Sequence, residues 1–208
     1  MKIYDLTHTI SAEMPVYPGS EPLRISQSST RSRNGFAEKK IIFHTHNGTH
    51  LDAPAHILEG TPHLDDLTLD RFVGRGMCIP VEGSYIDETA LHPLEDAIAR
   101  VDFILFATGW SKLWGTAQYF SGYPVLSEAA ARYLKRYTLK GVGFDTISAD
   151  REDSKTLPIH TLLLQDKIII ENLNNLDTLP ESAFTFFCMP LKIAEADGSP
   201  TRAIAVYP

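Results

Sequence analysis

The sequence predicts an α/β fold, compact and strand-rich, with a mixed sheet at its core. Short apolar runs bounded by turn residues recur along the whole chain, as buried strands do. Helical patterns are fewer and lie between those runs, not apart from them. The length of 208 residues suits one domain spanning 1–208, and no repeat, low-complexity tract or linker divides it. With 43% apolar and 22% charged residues, the chain reads as a soluble globular protein. It is long enough to bury a core without staples.

Taken in order, "KIYDL" opens the chain as a strand, and "LRISQSS" alternates apolar and polar residues as a half-buried one does. "KKIIFHTH" is a strand that runs directly into a histidine cluster. "GMCIPVE", "DFILFAT", "GVGFDT" and "KIIIENL" are short apolar runs of the buried-strand kind. "AFTFFCMPLKIAE" and "TRAIAVYP" flank "ADGSP" and predict a terminal hairpin. Among helices, "SEAAARYLKRY" has Ser127 as its N-cap. "DETALHPLEDAIARV" starts at Asp87, and Pro93 interrupts it or marks a second start. "HTLLLQD" is a short helix.

Bulk composition excludes several function classes. A formal net charge of −7 argues against a nucleic-acid partner, which needs a basic face. The runs "RSR" and "EKK" are short and read as solvated surface. The N-terminus lacks the apolar stretch of a signal peptide, and no window approaches the ~18 apolar residues of a membrane span. Cys78 and Cys188 lie far apart in apolar contexts, as buried free thiols do in a reducing cytoplasm. There is neither a glycine-rich phosphate loop nor a Gly-x-Ser-x-Gly elbow.

The stretch "HTHNGTHLDAPAH" gathers His44, His46, His50 and His56 around Asp52. Alternate residues of an extended chain share a face, so His46, His50 and Asp52 can point together. Gly48 and Pro54 oppose a helix, and Pro54 also drives Ala53 out of the α region. The expectation is an extended strand end with a tight bend at Asn47–Gly48. Two imidazoles and a carboxylate suit Zn²⁺, and also Mn²⁺ or Fe²⁺. Three protein ligands leave a position for water, and zinc lowers that water's pKa to about 7. His44 shares the face only if the strand stays regular up to the bend, and it is set aside as a ligand.

This stretch resembles the signature of the cyclase family, which includes the bacterial kynurenine formamidases. "HNGTHLDAPAH" matches His-x-Gly-Thr-His-x-Asp-x-Pro-x-His at every fixed position from His46 to His56. "DLTHTISAEMPVYPG" looks like the family's N-terminal strand and substrate loop. "GVGFDTISAD" with "LPIHTLLLQDKIIIENLNNL" looks like its second metal-bearing region.

The resemblance implies a compact β/β/α swivelling-type domain, assembled as a homodimer or larger oligomer. It implies that His46, His50 and Asp52 hold one metal, with Asp52 bridging to a second that His160 also binds. Glu171 completes the site, and His56 is the general acid/base. Read alone, His160 is a helix-start histidine and Glu171 a strand-end carboxylate that follows a buried run and needs a partner. Tyr17 falls where the formamidases typically carry Trp, in the loop lining the substrate pocket, and that departure leaves the substrate open. Asp145 and Asp150 read as loop caps or as carboxylates that orient metal-bound histidines. Trp110 and Trp114 line a pocket wall or pack, and His8, His63 and His92 stand outside any cluster.

The function so implied is hydrolysis of an amide C–N bond in a small molecule. Metal-bound hydroxide attacks the carbonyl carbon, and His56 passes a proton to the leaving nitrogen. An N-formylkynurenine-type arylformamide, from tryptophan breakdown, is the leading substrate. Isatin, another lactam or an ester is the alternative. A non-catalytic metal-binding protein is the rival class. The implied cofactor is Zn²⁺, one or two ions, with Mn²⁺ possible.

Overall fold

The computed structural model describes residues 1–208. Thirteen strands occur in chain order: β1 (Lys2–Asp5), β2 (Arg24–Ser29), β3 (Glu38–Ile42), β4 (His50–Asp52), β5 (Val73–Pro80), β6 (Tyr85–Ile86), β7 (Phe103–Ala107), β8 (Val125–Leu126), β9 (Gly141–Phe144), β10 (Ile168–Glu171), β11 (Phe184–Phe187), β12 (Gly198–Pro200) and β13 (Ile204–Tyr207). The α-helices are short: α1 (Arg31–Asn34), α2 (Glu88–Leu91), α3 (Glu95–Ile98), α4 (Glu128–Leu134) and α5 (Pro158–Leu163). This is the mixed, strand-rich α/β class that the apolar runs predict. No helix is long and apolar enough to cross a membrane.

Nine strands form one sheet in the order β1-β13-β11-β5-β7-β9-β10-β4-β12. Its centre, from β5 through β7 and β9 to β10, is parallel. Parallel strands are covered on both faces, so they read as continuous apolar runs. In β7, Ile104 and Phe106 join one buried cluster with α4 and α5, while Phe103 and Leu105 join the cluster on the other face. The sheet curls: beyond β1, Thr7 bridges Leu173, just past β10.

Local sequence sets the helix boundaries. Ser127 caps α4 by accepting from the Ala130 N–H, a bond worth about 1 kcal/mol in such positions. Pro93 splits the 87–101 helical pattern, and α2 passes through a 3₁₀ turn at His92–Leu94 into α3. The helix expected from His160 begins earlier, because Pro158 occupies its first turn, where a missing N–H costs nothing.

Two expectations are corrected. The strand of "KKIIFHTH" ends at Ile42 and pairs only with β2, as an exposed two-stranded arm. Residues 43–49 then turn, held by the Asn47 Oδ1 bond from the His44 N–H and by Gly48 at φ 68. The terminal segments are antiparallel neighbours, with Phe186 opposite Ala205, but no tight hairpin joins them. Between them the chain crosses the curl, and β12 pairs with β4 at the far end of the sheet. Pro200 is tolerated there because β12 is an edge strand.

Candidate metal centre

Strand register builds the site. β4 lies antiparallel to β10, with Glu171 opposite His50 and Ile169 opposite Asp52. His50, Asp52 and Glu171 therefore share one face, while Leu51 points into the core cluster behind the sheet. α5 packs on the site's face and brings in His160. The even-numbered alternation holds only within β4. His46 reaches in from the preceding turn, and His56 from the 3₁₀ turn Pro54–His56, with Ala53 extended at ψ 162 as its following proline requires.

Four buried groups converge. His50 Nε2 lies 3.3 Å from Asp52 Oδ1 and 3.5 Å from Glu171 Oε2. His160 Nε2 lies 3.2 Å from Glu171 Oε1 and 3.6 Å from Asp52 Oδ2. The outer nitrogens of these rings are already committed: His50 Nδ1 donates to Gly48 O at 2.9 Å, and His160 Nδ1 pairs with Asp150 Oδ2 at 2.7 Å. The inner Nε2 atoms of both rings face the carboxylates, and giving up a proton there would leave nitrogen and oxygen donors converging on one point, an arrangement that suits a cation.

Asp52 Oδ2 is buried without a hydrogen-bond partner, a costly state for a carboxylate oxygen unless a cation meets it. Donors about 2.1 Å from a four-coordinate ion stand about 3.4 Å apart, close to the separations here. The set contains no sulfur. His50, Asp52, His160 and Glu171, with His46 beside Asp52, fit a divalent ion of the zinc or manganese kind.

Charge around the cluster follows the same logic. Burial opposes a charge on His46, yet Asp52 and then Asp197 outweigh it and raise its pKa to about 9. Burial likewise opposes charge on His160, but the facing carboxylates of Asp150, Asp52 and Glu171 hold its pKa well above the ordinary value. Burial pushes Asp52 up, and the facing His46 and His50 override this to hold it well below the usual carboxylate range. His56 goes the other way. Burial lowers its pKa, only partly offset by Asp52, and the His46 and His160 rings add to the lowering. His56 is therefore mostly neutral at pH 7.

These groups floor a cleft of about 520 Å³. Tyr17 stands at its rim, 45% exposed, with Lys155 and Leu157 also lining it. His44 lines the cleft but is exposed and outside the converging donors. Asp150 ties α5 to the site by accepting from the Ile159 and His160 N–H groups as well as the His160 ring. Asp145 caps a loop by accepting from Thr108 and Gly109. Trp110 and Trp114 pack in a small cluster around Tyr119, with the His8 ring stacked on Trp114 at 3.9 Å.

Two site residues escaped the sequence reading. Asp197 Oδ2 lies 3.0 Å from His46 Nε2 and 3.6 Å from His56 Nδ1. In sequence it is only the Asp of an Asp-Gly turn, 151 residues from His46. Asn172, left-handed at φ 55, turns the chain after Glu171 and donates from Nδ2 to Gly48 O. Its one sequence signal is its place beside a carboxylate at the end of a buried run.

A sequence model of the Cyclase family matches residues 4–151. The chain belongs to the Cyclase family. Its relatives there include an uncharacterized protein of Methanocaldococcus jannaschii, 34% identical, covering 99% of this chain and 100% of that protein. The kynurenine formamidase of Bacillus cytotoxicus is 31% identical, over 96% of this chain and 95% of that enzyme. Among solved structures, isatin hydrolase A from Ralstonia solanacearum superposes with a TM-score of 0.87 at 26% identity, covering 98% of this chain and 91% of that one. The cyclase signature thus coincides with the converging cluster, from the turn at His46 to the 3₁₀ turn at His56.

Proposed function

We propose that this chain is a metal-dependent hydrolase cleaving an amide C–N bond of a small molecule, foremost an N-formylkynurenine-type arylformamide. The observation that carries the reading is the convergence of His50 Nε2 and His160 Nε2 on the buried carboxylates of Asp52 and Glu171, with the His56 ring alongside. The formamidase relative supports the arylformamide. The isatin hydrolase likeness supports the second reading, a cyclic amide, and Tyr17 at the rim is compatible with either.

His46, His50, Asp52, His160 and Glu171 would hold Zn²⁺, or Mn²⁺ in its stead. Both Asp52 oxygens face histidines, which supports a bridging role and a second ion. Such an ion supplies Lewis-acid activation of the carbonyl and an acidified water. His56 Nδ1 lies 3.6 Å from Asp197, which supports Nε2 as the atom that would take a proton and return it to the departing nitrogen. Its lowered pKa keeps it competent as the base at neutral pH. Tyr17 would contact the aryl group.

The free thiols Cys78 and Cys188 support a cytoplasmic setting, where an arylformamidase would serve tryptophan breakdown. The exposed Phe36, Ile41 and Ile42 on the β2–β3 arm support a homodimer or tetramer.

The test is elemental analysis of the purified protein with a hydrolysis screen of N-formylkynurenine, isatin, simple lactams and esters. Activity on none of them, with zinc or manganese supplied, refutes the hydrolase reading. His56→Ala is expected to retain metal and lose about 10²–10⁴-fold in turnover. Parallel loss of metal and activity would make His56 a ligand instead.

A further inference from the structure

We infer that Asp197 is a positioning residue shared by two histidines, fixing the ring of His46 as a ligand and the ring of His56 as the proton carrier. The inference rests on the roles proposed above for those two residues.

The far nitrogen of each inward-facing histidine is tied down. His50 uses Gly48 O, and His160 uses Asp150. For His46 the group is Asp197, at 3.0 Å from Nε2, while Nδ1 faces Asp52 at 2.6 Å. Carboxylates in this position fix the tautomer of a ligating imidazole and raise its basicity.

Asp197 differs from Asp150 in having two clients. The oxygen that meets His46 also lies 3.6 Å from His56 Nδ1, and the two rings stand 3.9 Å apart. That 3.6 Å is too long for a hydrogen bond, but a shift of about 0.5 Å closes it, and such bonds commonly tighten when substrate binds. With Nδ1 of His56 turned to Asp197, Nε2 is left with its lone pair for the cleft.

The backbone is built to hold this carboxylate. The Ala53 N–H donates to Asp197 O at 2.8 Å, locking β12 to the end of β4. The Thr45 hydroxyl donates to Oδ1 at 3.0 Å, leaving Oδ2 for the rings. The polar partners of the Asp197 side chain are the Thr45 hydroxyl and the two rings, so it reaches the chemistry through His46 and His56.

The experiment compares Asp197→Asn, Asp197→Glu and the parent protein. Asn keeps the acceptor for Thr45 but turns the other atom into a donor. Zinc affinity is measured by chelator competition, histidine tautomers by ¹H–¹⁵N ring correlation NMR, and kcat and KM on whichever amide the parent hydrolyses. Asp197→Asn is expected to lower zinc affinity about 10–100-fold. It should move the ring signals of both His46 and His56 while those of His50 and His160 stay. At saturating zinc, kcat should fall by about tenfold or more with KM little changed. Asp197→Glu, which keeps an acceptor, should recover part of the zinc affinity and separate this role from a folding defect. Unmoved ring signals with zinc affinity within twofold of the parent overturn the inference. A change at His46 alone overturns the shared role. If the parent hydrolyses no amide, the proposed function fails, while the zinc and NMR results still decide the role of Asp197.

Discussion

Gly198→Ala tests how tightly the β12 crossing is fitted to the centre. A Cβ at Gly198 would stand 2.8 Å from His46 Nε2 and 2.9 Å from Nδ1, nearest of all to Cε1. Comfortable contact begins near 3.5 Å, so the ring must retreat by about 1 Å to clear its nearest atom. It then leaves hydrogen-bond range of Asp197, now 3.0 Å away, and strains the 2.6 Å bond to Asp52. Two charge-assisted bonds are worth about 3–6 kcal/mol together. His46 is 24% exposed, so water recovers part of that. Alanine also returns about 0.4–1 kcal/mol through the unfolded state. A net loss of about 2 kcal/mol lowers Tm by about 4–8 °C in a chain of this size. Zinc affinity falls further, by about 100-fold, because a ligand is displaced. Differential scanning calorimetry with and without zinc, plus chelator competition, reads both. An unchanged Tm together with parental zinc affinity refutes the packing argument.

Other consequences follow from the same geometry. Chelator-stripped protein should lose stability as pH rises from 6.5 to 9: His46 is raised to about 9, so its stabilisation is full below 6.5 and lost on passing about 9. The change is at most about 3 kcal/mol, readable as Tm against pH, and His46→Asn should flatten it. Zinc binding should run the opposite way, tightening by up to about tenfold per pH unit over that window for each proton displaced. Leu51→Ala, on the core side of β4, should cost about 2.7–5 kcal/mol in a urea melt while zinc stoichiometry stays unchanged.

How much of this was legible in the sequence depends on what each residue answers to. His50 and Asp52 obey strand alternation, a local rule, and their convergence could be read from spacing alone. His46 and His56 lie outside that strand, and the turns at Gly48 and Ala53–Pro54, both flagged by residue type, aim them inward. His160 and Glu171 needed the family resemblance, because nothing local tells a ligand from a helix-start histidine or a strand-end carboxylate. Their partnership is made by the register of β10 on β4 and the seat of α5.

Asp197 was illegible for a topological reason. "ADGSP" has the composition of a hairpin turn, and the flanking segments do lie side by side. What composition cannot report is that the sheet curls, so the intervening residues can leave one edge and pair at the other. The close fit of Gly198 to His46 accounts for this Asp-Gly pair differently from a turn: glycine is needed where an imidazole passes, and aspartate where that imidazole must be held. The crossing thus joins fold to site. The crossing that leads into the edge strand beside β4 also supplies, one residue before that strand, the carboxylate between the two histidines.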